Sequence, residues 1–201
     1  MKRSEFQKLT FWVDYDRSRL PLLTRSQRIE YFRRRANKAV LRPLHQILRQ
    51  VRRDPKHSSA VLCFGTCICS AIEAFGHFHT GKVGWGTGWP SFNAFVKNFM
   101  HADFNKQVHK TSYAKLLHDH FRNGLAHGFT IKWGGFENTS TYFRIRSVGS
   151  TTMLVIDPSA LYQDFAGGVF NFVAKLKGAP DAPTRYAKFS AVFDELWIKG
   201  T

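Results

Sequence analysis

Acidic residues are scarce in this chain. Its 201 residues include 14 Asp and Glu against 30 Lys and Arg, which gives a formal net charge of +16 and a sequence pI near 10.2. Such an excess either serves solubility or attracts phosphate polyanions, which bind through counterion release. We expect a nucleic-acid partner ahead of a nucleotide or an anionic membrane surface.

Cysteine is also rare. Cys63, Cys67 and Cys69 lie in one apolar run, and an odd number without a secretion signal argues against a disulfide framework. On a helix Cys69 would point about 200° away from Cys67, so the thiols would not converge with His77 and His79 on a zinc ion. We therefore predict buried free thiols, no metal site and no cofactor.

Long apolar runs are not evident in the sequence. We find no window of about eighteen apolar residues, so we expect no membrane span. The basic N-terminus contains Asp14 and Asp16 where a signal peptide would need an apolar stretch. These features predict a cytoplasmic protein.

Phenylalanine, by contrast, is abundant: the chain has 19 Phe and 43% apolar residues, enough for a substantial core. The apolar residues recur mostly at helical spacing. We predict a mainly α fold, a helical bundle with a small antiparallel β-hairpin insert. Residues 1–24 would form an N-terminal lead-in, and residues 25–201 a single domain with its β insert at about 129–156.

Capping signals and apolar spacing place the first helices. Thr24 and Gln27 have capping-box spacing at the start of a helix. Pro43 predicts the end of that helix and a second one over residues 44–53. The next helix, over about 59–76, is apolar nearly all round, which predicts the centre of the bundle.

In the second half of the chain the spacing of the apolar residues changes from helical to alternating. Phe129, Ile131 and Trp133 alternate with polar residues, and TYFRIR and TMLVID then read as a β-hairpin. Asp157 followed by Pro158 predicts the start of a helix of about twenty residues. The remaining helices are predicted to start near Ser91, at Thr111 or Ser112, and at Thr184.

The predicted helices over residues 25–53 are rich in arginine, with only Glu30 interleaved. Such a face is either the solvated side of an amphipathic helix or a surface for phosphates. We favour the second interpretation, because a helix kept merely soluble usually mixes charges of both signs. The residues predicted to bind substrate are Arg33, Arg34, Arg35, Arg49, Arg52 and Arg53.

The segment GKVGWGTGWP, residues 81–90, is rich in glycine. No strand precedes it and no GK[ST] follows, so we predict an interhelical loop packed down by Trp85 and Trp89 rather than a phosphate-binding loop. Glu73 is the single charge of the apolar helix before it. A satisfied buried carboxylate, a partner for a basic site residue and a place near the exposed end are the alternatives, and we favour the last.

The nonapeptide FRNGLAHGF, residues 121–129, holds the candidate catalytic residues. On a regular helix Arg122 and His127 would lie about 140° apart, and Arg122 would point away from the core. Either Gly124 and Gly128 end the helix and let His127 swing round, or Arg122 meets a second chain. Without further context, the same residues are also typical of a helix C-terminus.

The run from Arg122 through Asn123 to His127 resembles the R-x4–6-H motif of HEPN domains. Its context is similar too: an apolar helix ending in IEAFGHFHTGK, then SFNAFVKNFM, then a Tyr-x-x-Leu-Leu helix, together covering residues about 58–130. The resemblance implies a helical bundle that dimerises and so brings two motifs together. Many such proteins are metal-independent endoribonucleases of RNA processing or defence. The arginine-rich region and the hairpin are not part of the minimal domain.

The chemistry of RNA cleavage suits these residues. The 2′-OH beside the scissile phosphate is the nucleophile, and cleavage needs a base, an acid and a cation that stabilises the phosphorane. Arg122 would hold the phosphate, His127 would transfer protons, and Asn123 would orient either of them. His118 could assist, although Asp119 could instead pair with Arg122. A homodimer would supply two copies of His127.

Two other classes of function stay open. One is a noncatalytic HEPN-like module that binds RNA or a nucleotide, for example as a toxin–antitoxin or defence component with an antitoxin or regulatory protein as partner. The other is a structural interaction protein, which would leave the basic helices without a polyanion to explain them.

Overall fold

The computed structural model describes residues 17–53, 58–108, 110–123, 134–137, 141–148, 151–178 and 181–199. The described chain is mainly α-helical with a small β insert, as predicted. The α-helices are α1 (Arg25–Arg35), α2 (Arg42–Arg53), α3 (Ser58–Thr80), α4 (Gly88–Phe99), α5 (Tyr113–Leu116), α6 (Pro158–Gly178) and α7 (Ala182–Phe193). The strands are β1 (Gln107–Val108), β2 (Thr111–Ser112), β3 (Gly134–Phe136), β4 (Phe143–Val148) and β5 (Thr151–Ile156). Short 3-10 helices span Arg17–Leu22 and Ala102–Asn105, and π-helical turns span Ala36–Leu41, Leu117–Arg122 and Asp194–Lys199.

Helices α1 and α2 form one continuous rod. The predicted capping box is confirmed: Thr24 accepts from the backbone of Gln27, whose side chain accepts from the backbone of Thr24. The predicted break at Pro43 is wrong, because the π-helical turn Ala36–Leu41 joins the two helices. In a π turn each backbone N–H donates to the carbonyl five residues earlier, as that of Arg42 does to Asn37. The helix therefore continues although proline disrupts the regular α-helical hydrogen bonds.

Helix α3 runs through the centre of the bundle, as predicted, and contacts α2, α4, α6 and α7. Its side chains Phe64, Ile68 and Ile72 are completely buried. At Gly76 the backbone of α4 comes so close that a β-carbon would collide with the carbonyl of Ser91. This contact fixes α3 against the first turn of α4.

The expectation that the chain has no apolar window of membrane length is wrong. Residues Ser59–Thr80 reach a mean hydropathy of 1.6 and are long enough to cross a membrane by length and composition. Within the protein 44% of that window is buried. The core helix of a bundle passes the same test, and the neighbours of α3 on several sides are those of a core helix.

Aromatic rings hold the helices together. Phe32 of α1 makes edge contacts with Phe75 and Phe78 of α3, Phe172 of α6 and Phe189 of α7, with ring centroids 4.8–5.9 Å apart. Edge-to-face pairs of this kind contribute about 1 kcal/mol each beyond the burial of their area. The abundance of phenylalanine therefore serves the core.

The β insert is more than a hairpin. Strands β4 and β5 pair in antiparallel fashion, as predicted, but β3 pairs in parallel with the other edge of β5, so that the order is β3-β5-β4. The strand predicted around Phe129 to Trp133 lies outside the described residues. Asp157 caps α6 through a 2.7 Å bond from the backbone N–H of Ala160, and Pro158 is the first residue of α6, both as predicted.

The cysteines are not all buried. Cys69 is completely buried, but Cys63 and Cys67 lie one turn apart on an exposed face of α3, so the prediction is wrong for these two. The reason is that the described elements cover α3 only partly in its first half. Among the described residues, no group of three or more His, Cys, Asp or Glu side chains is placed to hold a metal ion.

Candidate functional site

A π-helical turn positions Arg122. Ser112 caps α5 by accepting from the backbone N–H of Lys115, and the turn Leu117–Arg122 comes next, with the N–H of Asn123 bonded to the carbonyl of His118. The extra residue in such a turn rotates the subsequent side chains by about 100° relative to a regular helix. Arg122 therefore reaches toward α3, and the prediction that it points away from the core is wrong.

Glu73 holds the guanidinium of Arg122. Arg122 Nε donates to Glu73 Oε2 at 2.7 Å and Nη2 donates to Oε1 at 3.2 Å, while Nη1 donates to Asn123 Oδ1 at 3.0 Å. Three of the five guanidinium N–H donors are thus used, and two remain for a ligand. Glu73 is a partner for a basic site residue, not the exposed terminal charge that we favoured from the sequence.

The surroundings of Glu73 fix its carboxylate. A β-carbon on Gly88, at the start of α4, would lie 2.8 Å from Glu73 Oε1, so the missing side chain makes room for the pair. His77 Nδ1 donates to the carbonyl of Lys82 at 2.7 Å, and its Nε2 lies 3.8 Å from Glu73 Oε1. These contacts connect the base of the glycine-rich loop to Arg122.

His118 is the buried histidine of the site. Its Nδ1 lies 3.1 Å from Asp119 Oδ1, and its ring makes edge contacts with Trp89 and Phe92. Burial lowers the pKa of His118, although the hydrogen bond to Asp119 opposes this change. Asp119 also accepts from Lys115 Nζ at 2.8 Å, so it pairs with Lys115 and His118 rather than with Arg122. Within the described chain, His118 Nε2 has no hydrogen-bond partner.

Arg122, Glu73 and His118 line one cleft of about 590 Å³ together with the glycine-rich loop. The loop joins α3 to α4, as predicted, and Gly84 and Gly86 adopt φ values of 106° and 78°, which favour glycine. Trp89 packs against the protein as expected, but Trp85 is fully exposed, which contradicts its predicted packing. The two positive-φ glycines flank Trp85 and carry it outward at the rim of the cleft.

The structure brings together part of the predicted catalytic set. Arg122 and Asn123 are in contact, and His118 lines the same cleft. His127 lies in the segment 124–133, outside the described residues. The role of Glu73 as a partner for a basic site residue was one of the alternatives from the sequence, but not the one we favoured.

The first three predicted substrate-binding arginines have partners within the bundle. Arg33 and Arg34 both donate to Glu30, at 2.6–2.8 Å. The Arg33 hydrogen bond, with help from Arg34, lowers the pKa of Glu30 to about 2 despite partial burial. Arg35 lies over the ring of Trp197, 5.5 Å from its centroid.

The other three arginines are on the exposed face of α2. Arg49 and Arg53 line a shallow cleft of about 310 Å³ with two glutamines, and Arg52 is exposed beside them. None of the six predicted arginines is among the described residues that line the Arg122 cleft. The basic helices and the Arg122 cleft are therefore separate surfaces.

No protein-family model, curated protein sequence or solved structure matches the chain significantly. The fold and the site together define a mainly α-helical protein in which an arginine, a histidine and a glycine-rich loop share one cleft.

Proposed function

We propose that this chain is a HEPN-like protein that binds RNA in the Arg122 cleft and cleaves it without a metal ion. One observation carries the proposal: the Arg122 guanidinium is held by Glu73 and Asn123 in a cleft that it shares with His118. An oriented guanidinium beside a histidine is suited to a phosphodiester and to the proton transfers of its cleavage.

Arg122 supplies the phosphate-binding group. Its two remaining N–H donors belong to Nη1 and Nη2, which form the planar fork that phosphate oxygens accept from. Glu73 and Asn123 hold this fork still, so little order is lost when the phosphorane forms. Trp85, exposed at the rim, gives a neighbouring base a surface on which to stack.

Histidines supply the proton transfers. His127 is the histidine of the motif, and His118 assists from the wall of the cleft. Burial lowers the pKa of His118 and so favours the neutral imidazole, which is the form that can accept the 2′-OH proton. A second copy of the chain would bring a second His127 to the leaving 5′-oxygen, and we therefore propose a homodimer. We also propose that the protein acts in the cytoplasm.

A noncatalytic RNA- or nucleotide-binding module is the second candidate. The Glu73 carboxylate favours it, because a bound carboxylate offsets the charge that Arg122 can lend to a phosphorane. An antitoxin or other regulatory protein would then be a natural partner in a defence system. The two candidates share the RNA-binding cleft and differ in whether the strand is cut.

Incubation of the protein with RNA in excess EDTA tests the proposal. We expect products with 2′,3′-cyclic phosphate ends, and we expect Arg122→Ala and His127→Ala each to abolish them. His118→Ala should slow cleavage by about a hundredfold, the lower range for loss of a proton-transfer group. Circular dichroism and thermal unfolding of each variant control for folding.

Four results would count against parts of the proposal. Cleavage that survives both Arg122→Ala and His127→Ala would refute the site, and cleavage of a 2′-deoxy strand would refute the mechanism. RNA that is bound but not cut would favour the noncatalytic module. Binding that does not weaken from low to high salt would contradict any contact with phosphates.

A further inference from the structure

A second cleft adjoins the Arg122 cleft, with Trp89 as the wall between them. It has a volume of about 550 Å³, and Trp89 lines both clefts. Trp89 itself is engaged on its faces: Lys115 Nζ lies 4.8 Å from its ring centroid, and the ring of Phe92 is stacked at 6.3 Å. A chain that crosses from one cleft to the other would pass over the edge of Trp89 and beside Lys115.

Positive charge dominates this second cleft. Its lining includes Lys97, Lys110 and Lys115, together with amide and hydroxyl side chains, and no carboxylate among the described residues that form it. Lys115 is paired with Asp119. Lys97 and Lys110 have no carboxylate partner in the described part of the chain, so their charges are available to an anion.

The backbone conformation of Lys110 is an independent indication that this cleft binds an anion. Lys110 has φ 65°, the single positive value for a residue other than glycine in the described ranges. It lies in the tight turn between β1 and β2, whose ladder joins Val108 to Thr111. Glycine or asparagine is the usual choice at such a position, and a lysine there costs about 1 kcal/mol. The strained turn places this lysine in the lining of the cleft.

We propose that this second cleft, called the lysine cleft after Lys97, Lys110 and Lys115, binds the phosphates of the nucleotides adjacent to the one in the Arg122 cleft, so that the ligand is a single RNA strand spanning both clefts. The inference rests on the proposed RNA function of the Arg122 cleft. A single strand is favoured over a duplex because two clefts separated by an aromatic wall require a backbone that can bend and bases that can splay apart.

Binding of strands of increasing length tests this arrangement. The probes are labelled 2′-O-methyl oligouridylates of two and eight nucleotides, which cannot be cut by 2′-OH attack. The test variant is the full chain with Lys97→Ala and Lys110→Gly, because glycine adopts the positive φ without strain. The matched control carries Lys177→Ala and Lys188→Ala, which remove the same charge from exposed positions outside both clefts.

We expect the test variant to bind the octamer about tenfold more weakly than the control does. Its log–log salt slope should fall by about 1.4, since each phosphate contact of a single strand contributes about 0.7. Affinity for the dinucleotide should match the control. A Lys97→Arg and Lys110→Arg variant should keep the affinity of the wild type for the octamer.

The possible failures are distinguishable. If the test variant binds both lengths as the control does, the lysine cleft is not on the path of the strand and the inference is overturned. Equal loss for dinucleotide and octamer would also overturn it, because the cleft would then hold a free nucleotide rather than an extended strand. If octamer binding weakens in the lysine variant but not in Arg122→Ala, the proposed function is refuted, because the strand then binds the lysine cleft without the Arg122 cleft.

Discussion

Two glutamates, Glu30 and Glu73, each bind arginine, but in different settings. Glu30 binds Arg33 and Arg34 of its own helix, three and four residues further on. Glu73 binds Arg122 from another helix, 49 residues away in the sequence. The first group is a local pattern on the outside of α1, whereas the second joins two elements at the edge of a cleft.

The two settings use arginine differently. Helical spacing alone brings Glu30 to its arginines, and exposed pairs of this type contribute only about 0.5 kcal/mol each. The side chain of Glu73 is less exposed, 15% against 23% for Glu30, and it holds the Arg122 guanidinium together with Asn123. The Glu30 contacts neutralise the charge of arginines on the same helix, whereas the Glu73 contact fixes the orientation of the Arg122 guanidinium. The number of arginines in a segment therefore does not show which guanidinium the fold holds in place.

The contact between α3 and α4 supports the Glu73 site but not the Glu30 site. Gly76→Ala would push a methyl group into the carbonyl of Ser91, so the helices must separate. We expect a loss of about 3 kcal/mol in the free energy of unfolding, at the upper end for overpacking. Urea unfolding measures it. Gly167→Ala, where nothing lies within 4 Å, is the matched control and should not destabilise the protein.

The separation of α3 from α4 should damage the Glu73 site and spare the Glu30 site. Gly88, which makes room for Glu73, lies on the same first turn of α4. A loss below about 1 kcal/mol for Gly76→Ala would mean that the close approach is easily relaxed. The α3–α4 contact would then not be what fixes the cleft.

Removal of the two carboxylates compares the sites directly. Glu73→Ala leaves the partly buried guanidinium of Arg122 without its partner, and we expect a loss of about 2 kcal/mol. Glu30→Ala should cost about 1 kcal/mol or less, because its arginines can turn to solvent. Urea unfolding at pH 7 gives both values. Equal losses would show that the long-range pair is no more than a surface ion pair.

The local features of this fold were predictable from the sequence. The capping box at Thr24, the cap at Asp157 and the β4–β5 hairpin follow from residues within a few positions of one another. The helix predicted over residues 44–53 follows in the same way from apolar residues at helical spacing, of which Leu44 and Leu48 are buried. Each rests on spacing that a helix or strand imposes, whatever surrounds it.

The features that build the candidate site were not predictable in this way. The π turn that aims Arg122 depends on a backbone register that packing selects, so counting at 100° per residue placed its side chain on the wrong side. The partnership with Glu73 needs the fold to join positions 49 residues apart. Trp85 was predicted to pack the loop down, but its glycine neighbours hold it outward.

The pH dependence of stability should also separate the two regions. The folded state lowers the pKa of Glu30 to about 2, mainly through Arg33. The stabilisation is therefore present above the usual pKa near 4.5 and is lost as pH falls toward 2. In Glu30→Gln the loss in the free energy of unfolding between pH 4.5 and 2 should be smaller than in the wild type by about 1 kcal/mol, after allowance for solvent screening.

The contribution of the Arg122 cleft to stability should change at higher pH than that of Glu30. The pKa of His118 lies below its usual value of 6.5, so the folded state binds fewer protons and loses stability as pH falls below 6.5. Burial, assisted by Arg185, lowers the pKa of His79 to about 4, so His79 contributes in the same range. The difference between wild type and His118→Gln in the pH dependence of the free energy of unfolding gives the contribution of His118. An unchanged slope below pH 6.5 would contradict the burial of His118.

The arginines of the basic helices should differ in their effect on the proposed binding of RNA. Arg49 and Arg53 have no carboxylate partner among the described residues, whereas Arg33 and Arg34 share Glu30. If α2 contacts the strand, replacing Arg49 and Arg53 by Gln should lower the salt slope by about 1.4, at about 0.7 per contact. Replacing Arg33 and Arg34 by Gln should change it by less than half of that, because a phosphate must first compete with Glu30. Fluorescence anisotropy across a salt series measures both slopes. Equal decreases would show that Glu30 does not withhold its arginines from phosphate, and the contrast between the two glutamates would then be confined to stability.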